Sequence, residues 1–180
     1  LSEASSSVKE NMISVLLSPL LDKNWVVADR RLRLVEKTFP FDADVKTLRI
    51  WLEGERFRFE NAQKILEESF SMSDSNSPDV VRAEGFMYVL GRDYLRGTGA
   101  LKKYLEFNAQ DGITLFFLGR AAFESEKYTE CVRFSKLAQL NSVGPLKLRA
   151  QTMMYRCRVL AQLGVDDALT EFGNFVSRFP

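Results

Sequence analysis

The chain has 180 residues, 46% of them apolar, with 25 Lys and Arg against 24 Asp and Glu. That is enough for one core-forming domain or one short repeat array, and too balanced in charge for a protein that coats nucleic acid. It holds no histidine, which excludes serine–histidine and cysteine–histidine catalysis, histidine metal ligands and the usual proton carrier near pH 7.

The first segment, Leu1 to Ser7, reads as a frayed terminus. Met12 to Leu21 is the most apolar run, but Ser14, Ser18 and Pro19 break it, and no stretch approaches 18 consecutive apolar residues, so no membrane span is expected. A proline inside a helix costs about 3 kcal/mol. The first helix is therefore predicted to stop near Ser18 or to kink there. Residues 71–78, Ser-Met-Ser-Asp-Ser-Asn-Ser-Pro, read as a surface connection, with a phosphorylated or partner-ordered loop as the sharper alternative. Longer helices are predicted around Pro78 to Leu95 and Pro145 to Leu163. Gly97-Thr-Gly99 lacks the third glycine and the lysine of a phosphate loop and reads as a tight turn between helices. From Ile113 to Tyr128, Leu115, Leu118, Gly119 and Ala122 share one helical face, and a second helix follows from Thr129 with Cys131, Ser135 and Ala138 in register. Cys131 and Cys157 are too few for a four-ligand zinc site and give no support to a secreted disulfide framework, so the cytoplasm or another reducing intracellular compartment is expected. No cofactor or metal is implied. The chain opens at Leu1 and closes on Phe179-Pro180, as expected of a fragment of a longer protein.

Alternating strand patterns are almost absent, so the predicted class is all-α. A small residue recurs at the start of each second helix: Ala28, Ala62, Ala100, Cys131 and Ala168, at spacings of 34, 38, 31 and 37. Four and seven residues beyond stand Leu32 and Val35, Leu66 and Ser69, Tyr104 and Phe107, Ser135 and Ala138, and Phe172 and Phe175. Pro40 and Pro180 punctuate the first and last units.

These residues resemble the tetratricopeptide repeat, best at Leu115, Leu118, Gly119, Ala122, Tyr128, Cys131 and Ala138, with Cys131 where that family prefers alanine. The resemblance implies an α-α superhelix, a solenoid of stacked helical hairpins with about ten helices. Its units lie at approximately 8–40, 43–74, 78–110, 112–143 and 146–180 of a single array over 1–180. It also implies a concave groove lined by the first helices.

Charge is distributed unevenly. Residues 53–84 carry eight acids and four bases, whereas residues 131–165 carry six bases (Arg133, Lys136, Lys147, Arg149, Arg156, Arg158) and no acid. Lys147 and Arg158 fall on one flank of the stripe Leu146-Ala150-Met153-Cys157-Leu160, and Arg149 and Arg156 on the other. Only one pair can face a groove, and solvated flanks are the plainer reading. Phe116, Arg120 and Phe123, at i, i+4 and i+7, lie away from the Leu115-Leu118-Ala122 seam. The first-helix positions they occupy touch bound peptide in the resembled family; packing against the adjacent repeat is the competing role. Trp51 and Arg92 are their counterparts in units two and three. The candidate partner-binding set is thus Trp51, Arg92, Phe116, Arg120, Phe123, Lys147 and Arg158. The lysines and asparagines that grip chaperone carboxylates in one subclass are absent, and adjacent acids such as Glu67-Glu68 and Asp166-Asp167 diverge on a helix, which makes them poor acid–base dyads.

The function implied is a non-catalytic interaction scaffold or adaptor. It would bind a peptide or helix of another protein, through an acidic or amphipathic segment, or serve as one subunit of a larger complex. The alternative is single-stranded RNA binding, one base per hairpin, through the basic 133–158 region. The net charge of +1 and the lack of a recurring polar pair disfavour nucleic acid.

Overall fold

The structure is a computed structural model and describes residues 3–71 and 73–178. Among them are ten helices and no strand. They pair in chain order as α1 (Glu3–Leu21) with α2 (Trp25–Thr38), α3 (Ala43–Glu55) with α4 (Phe59–Phe70), α5 (Pro78–Leu90) with α6 (Tyr94–Leu105), α7 (Gly112–Glu124) with α8 (Tyr128–Leu140), and α9 (Gly144–Leu160) with α10 (Val165–Ser177). The fold is all-α, an α-α solenoid of helical hairpins. It divides into two compact units, one holding α1 to α6 up to Ala109 and one holding α7 to α10 from Gln110.

Local chemistry sets the helix ends. Side chains of Asn24, Asp42, Ser77, Asp93 and Asp111 accept hydrogen bonds from the first-turn N–H groups of α2, α3, α5, α6 and α7. Pro78 and Pro145 sit in the first turns of α5 and α9, where the missing N–H costs nothing. Within every hairpin, the turn between the two helices has one non-glycine residue in the left-handed region: Lys23, Phe57, Arg92, Glu126 and Gln162. The next residue then donates its N–H back to the carbonyl five residues earlier, as in Asn24 to Pro19, Arg58 to Glu53, Asp93 to Tyr88, Lys127 to Ala122 and Leu163 to Arg158. This is the Schellman closure, normally made with glycine. Its recurrence at 34, 35, 34 and 36 residues is more regular than the spacing of the small residues.

That regularity corrects the reading of the third hairpin. Gly97 and Gly99 are not a turn; they lie inside α6, and the turn is residues 91–93. The small anchor is Gly97 rather than Ala100. A Cβ there would stand 2.7 Å from Val89 Cγ2 and 3.0 Å from the Val89 nitrogen, so α6 reaches α5 only because this residue has no side chain.

Further expectations change. The first helix does not stop at Ser18: it runs through Pro19 to Leu21, and residues 3–7 are helical rather than frayed. Of the two longer helices predicted, α9 has 17 residues, but α5 has only 13 because its closure falls at 91–93. Residues 71 and 73–77 connect α4 to α5. Ser77 caps α5, and Lys103 on α6 donates to Asn76 Oδ1 at 2.8 Å, which holds the connection against its own unit. Leu1, Ser2, Met72, Phe179 and Pro180 lie outside the described residues.

In the first unit the core runs from Leu16, Leu20, Ala28 and Leu32 to a cluster of Ile50, Ala62 and Ala83 flanked by Ile65, Leu66, Phe70 and Met87. In the second, Leu115, Phe117, Leu118, Phe134 and Leu146 are buried. Gly119 admits both neighbours of α7, since a Cβ there would lie 2.8 Å from Met153 Cε on α9 and 2.9 Å from Ser135 Oγ on α8. Cys131 and Cys157, fully buried, form a disulfide with Cα atoms 6.0 Å apart, where the sequence had suggested no such pairing. The bond fastens α8 to α9 at the position where alanine would otherwise permit close approach.

Candidate functional site

In the second unit, Asp111 Oδ1 accepts from the Ile113 and Thr114 N–H groups and starts α7. This sets the helix rotation that brings Phe116, Arg120 and Phe123 to one half-buried stripe. Phe116 meets Phe117 edge-on at 6.3 Å, and the Arg120 guanidinium lies 5.8 Å from the Phe117 ring. Phe123 packs on the Ala122, Cys131 and Cys157 cluster and meets Tyr128 edge-on at 6.2 Å. The outer side of its ring carries the Arg156 guanidinium from α9, 4.8 Å from the centroid. Such a stacked guanidinium keeps its charge available while its planar face covers apolar carbon. Arg149 and Arg156 are exposed on α9. It is thus the Arg149–Arg156 flank, rather than the Lys147–Arg158 flank, that supplies a base to the Phe123 stripe.

Lys147 and Arg158 face α10 and line different cavities. Lys147 is exposed at the rim of a cavity of about 590 Å³ with Leu148, Tyr155, Phe175 and Arg178. Arg158 lies in a second cavity, about 630 Å³, with Lys136, Met154 and Glu171, and donates to Glu171 Oε2 at 2.7 Å.

The first unit differs. With the left-handed turns as register marks, Phe116 and Arg120 correspond to Arg82 and Phe86 in the third hairpin and to Thr47 and Trp51 in the second. All four are buried, with exposures of 5%, 1%, 3% and 2%. Trp51 is a core side chain whose indole N–H donates to Glu55 Oε1 at 3.2 Å. It presents no binding surface, because neighbouring side chains close over a position whose register alone suggested exposure. Arg92 is exposed but is the left-handed turn residue after α5, off the first-helix face altogether.

Ion pairs tie the first unit together instead. Arg82 donates to Asp44 Oδ1 at 2.6 Å while lying over the Phe86 and Tyr104 rings, and Lys9 bridges Asp42 at 3.0 Å and Asp44 at 2.9 Å. Burial alone would raise the Asp44 carboxyl, but Arg82 and Lys9 overcome it and hold the group below the usual carboxylate range. Lys9 is raised: burial opposes its charge, and the hydrogen bonds to Asp44 and Asp42 outweigh that. Arg49 on α3 grips Glu36 through both carboxylate oxygens, at 2.9 and 2.6 Å, and also binds Asp29. Burial would raise Asp29, yet Arg49 and then Arg33 hold it low. These contacts hold α1, α2, α3 and α5 in place. Among the described residues, no group of three or more Cys, Asp or Glu stands positioned to hold a metal ion, and no helix is long and apolar enough to cross a membrane.

No family model matches the chain, and no curated protein does. Solved structures do. "MamA 41-end from Desulfovibrio magneticus RS-1" is similar with a TM-score of 0.57 at 12% identity, over 94% of this chain and 93% of that one. "MamA AMB-1" matches at 0.57 with 19% identity over 89% and 92%, and "MamA MSR-1" at 0.55 with 19% identity over 96% and 98%. At these identities the likeness concerns architecture, and it agrees with the recurrent turns and hairpins described above. The chain therefore has a tetratricopeptide-like helical-repeat fold.

Proposed function

We propose that this protein is a non-catalytic interaction scaffold, an adaptor or complex subunit, whose partner docks on the α7–α9 face of the second unit. The observation that carries the reading is the stacking of Arg156 on Phe123 beside Arg120 and Phe116. This gives an aromatic and cationic surface, of the residue types enriched at binding hot spots, at positions buried in the first unit. The partner segment is acidic or amphipathic, since Arg149 and Arg156 stand exposed there and residues 131–165 contain no acid.

The test is affinity capture from the source cell with the intact chain beside an Arg120→Glu, Arg156→Glu variant of equal helical content. A protein retained by the first bait and lost from the second supports the reading, and identical protein lists from both baits contradict it. The RNA alternative rests on the basic 133–158 region. Arg158 is paired with Glu171, which leaves one base fewer for phosphates. Retention of RNA with a steep salt slope would favour that alternative. For the compartment, the small cysteine number favours a reducing one, whereas an oxidising one would maintain the Cys131–Cys157 bond. Thiol labelling of the protein as isolated from its source separates the two.

A further inference from the structure

Covalent structure tethers α9 to α8 at both ends. Residues 141–143 join its first turn to the end of α8, and the Cys131–Cys157 bond joins its last turn to the first turn of α8. Leu146 and Ala150 are buried in the half next to the connection. In the other half, Met153 and Cys157 stand one turn apart over Gly119 and Cys131. That half also carries α10, since Tyr155 meets Phe172 and Phe175 at 5.9 and 6.1 Å and Arg158 donates to Glu171.

The base on the docking face belongs to the half held by the disulfide. Arg156, which lies on Phe123, immediately precedes Cys157. Phe123 in turn packs with Val132 and Met153 against Ala122 and both cysteines. The bond therefore sets both members of the stack: one sulfur is anchored a residue away from Arg156, and the ring beneath Arg156 rests on the cluster that contains both sulfurs. Two thiols cannot approach as closely as two bonded sulfurs, and both cysteines are fully buried, so reduction crowds a space that is already filled. α8 is fixed by its hairpin with α7, and the part able to give way is the half of α9 that has lost its tether. It moves off Phe123 and takes Arg156 with it.

We infer that the Cys131–Cys157 pair is a redox switch on the α7–α9 face: the disulfide form presents Arg156 on Phe123 to an acidic partner, and the dithiol form withdraws it. This regulation presupposes that the α7–α9 face is the docking face. The reductant is a dithiol. Its thiolate attacks one cysteine sulfur, the other cysteine leaves as a thiolate and takes up a proton, and the second thiol of the reductant resolves the mixed disulfide. The chain gains two thiols and the reductant becomes a disulfide, with two electrons and two protons transferred. Because both sulfurs are enclosed, attack requires the last turns of α9 to open.

The test compares the air-oxidised chain with the same chain in excess dithiothreitol, the state of the pair being read by alkylation and mass. One readout needs no partner. The Arg156 side-chain protons are expected to be shifted by the ring current of Phe123 in the oxidised chain and to return toward free-arginine values on reduction. The other is fluorescence anisotropy of a fluorescein-labelled peptide of about 18 residues, roughly five helical turns, with leucines at i, i+3 and i+7 flanked by glutamates. Reduction is expected to weaken its binding about tenfold, within the usual range of coupling between linked sites. Cys131→Ala, Cys157→Ala should respond to reductant in neither readout. If that variant loses helical circular dichroism, Cys131→Ala alone, which also cannot form the bond, takes its place. The switch is overturned if the Arg156 shifts are the same in both redox states, or if the peptide binds both forms equally. It is also overturned if reductant changes the double-alanine variant as much as the wild type, or if the pair resists reduction until the chain unfolds. A peptide bound by neither form instead contradicts the docking face, and the Arg156 shifts then decide whether the bond governs the geometry there.

Discussion

Arg31 on α2 donates from its guanidinium to the main-chain carbonyl of Val15 on α1, at 2.7 Å. Val15 lies four residues before Pro19, which has no N–H with which to continue the helical ladder. The carbonyl that the proline leaves vacant is taken by the partner helix, and α1 passes through its proline without ending.

This relationship predicts a coupling. Arg31→Ala should cost roughly 0.5–1 kcal/mol, an ordinary hydrogen-bond contribution at an exposed site. In a Pro19→Ala background, where the alanine supplies the N–H that proline lacks, the same change should cost little. A double-mutant cycle by urea denaturation measures the difference, and strictly additive effects would show that the two residues do not compensate each other.

The left-handed turns give a second prediction. Arg92 is exposed at φ 65°, a conformation that costs a non-glycine residue about 1 kcal/mol and glycine little. Arg92→Gly should therefore raise the denaturation midpoint slightly, the gain reduced by the greater freedom of glycine in the unfolded chain. A lower midpoint would mean that Arg92 makes contacts worth more than its strain.

The disulfide closes a loop across 26 residues, for which chain-entropy arguments give about 3 kcal/mol. Reduction of the pair, or the double change Cys131→Ala, Cys157→Ala, should lower the melting temperature of the chain while leaving helical content intact below the transition. The double alanine change also deletes two buried sulfur atoms, so its loss should exceed that of reduction by the packing they supply. Equal melting temperatures with and without reductant would contradict this.

Acid should weaken the first unit. Asp44 and Asp29 are held low in the folded chain, so their contribution is complete above the unfolded carboxylate value of about 3.9 and is lost as pH falls through the folded values beneath it. Lys9 is raised, so its contribution holds below about 10.4 and fades as pH rises through its folded value. The midpoint difference between the wild type and Asp44→Asn should be present at about pH 6 and shrink as pH falls below about 4. A difference that stays constant over that range would show that the Asp44 charge does not stabilise the unit.

The helices were legible because three- and four-residue apolar spacing is local. Ala28, Ala62, Cys131 and Ala168 mark the second helices, but Ala100 does not, because the closest approach in the third hairpin demands glycine and so selects Gly97. The turns were hidden for the complementary reason. All five use ordinary residues at the left-handed φ of the closure; Gly91 and Gly164 stand beside two of these, whereas the Gly97-Thr-Gly99 run that most resembles a turn lies within α6. At the site, the Phe116-Arg120-Phe123 stripe follows from spacing on one helix. Which flank of α9 reaches it does not, because that rotation is fixed by contacts such as Cys157 with Cys131, 26 residues away in sequence. Trp51 shows the same limit: its register is that of Arg120, but its burial is decided by neighbours.

Whether the α7–α9 face receives a protein partner can be read residue by residue from amide chemical shifts of the 20.6 kDa chain, titrated with the captured partner or its binding segment. Saturating shifts centred on Phe116, Arg120, Arg149 and Arg156 are expected. Shifts confined to α1 through α6, or a saturating response to a single-stranded RNA oligonucleotide in place of the protein, would contradict the proposed docking face.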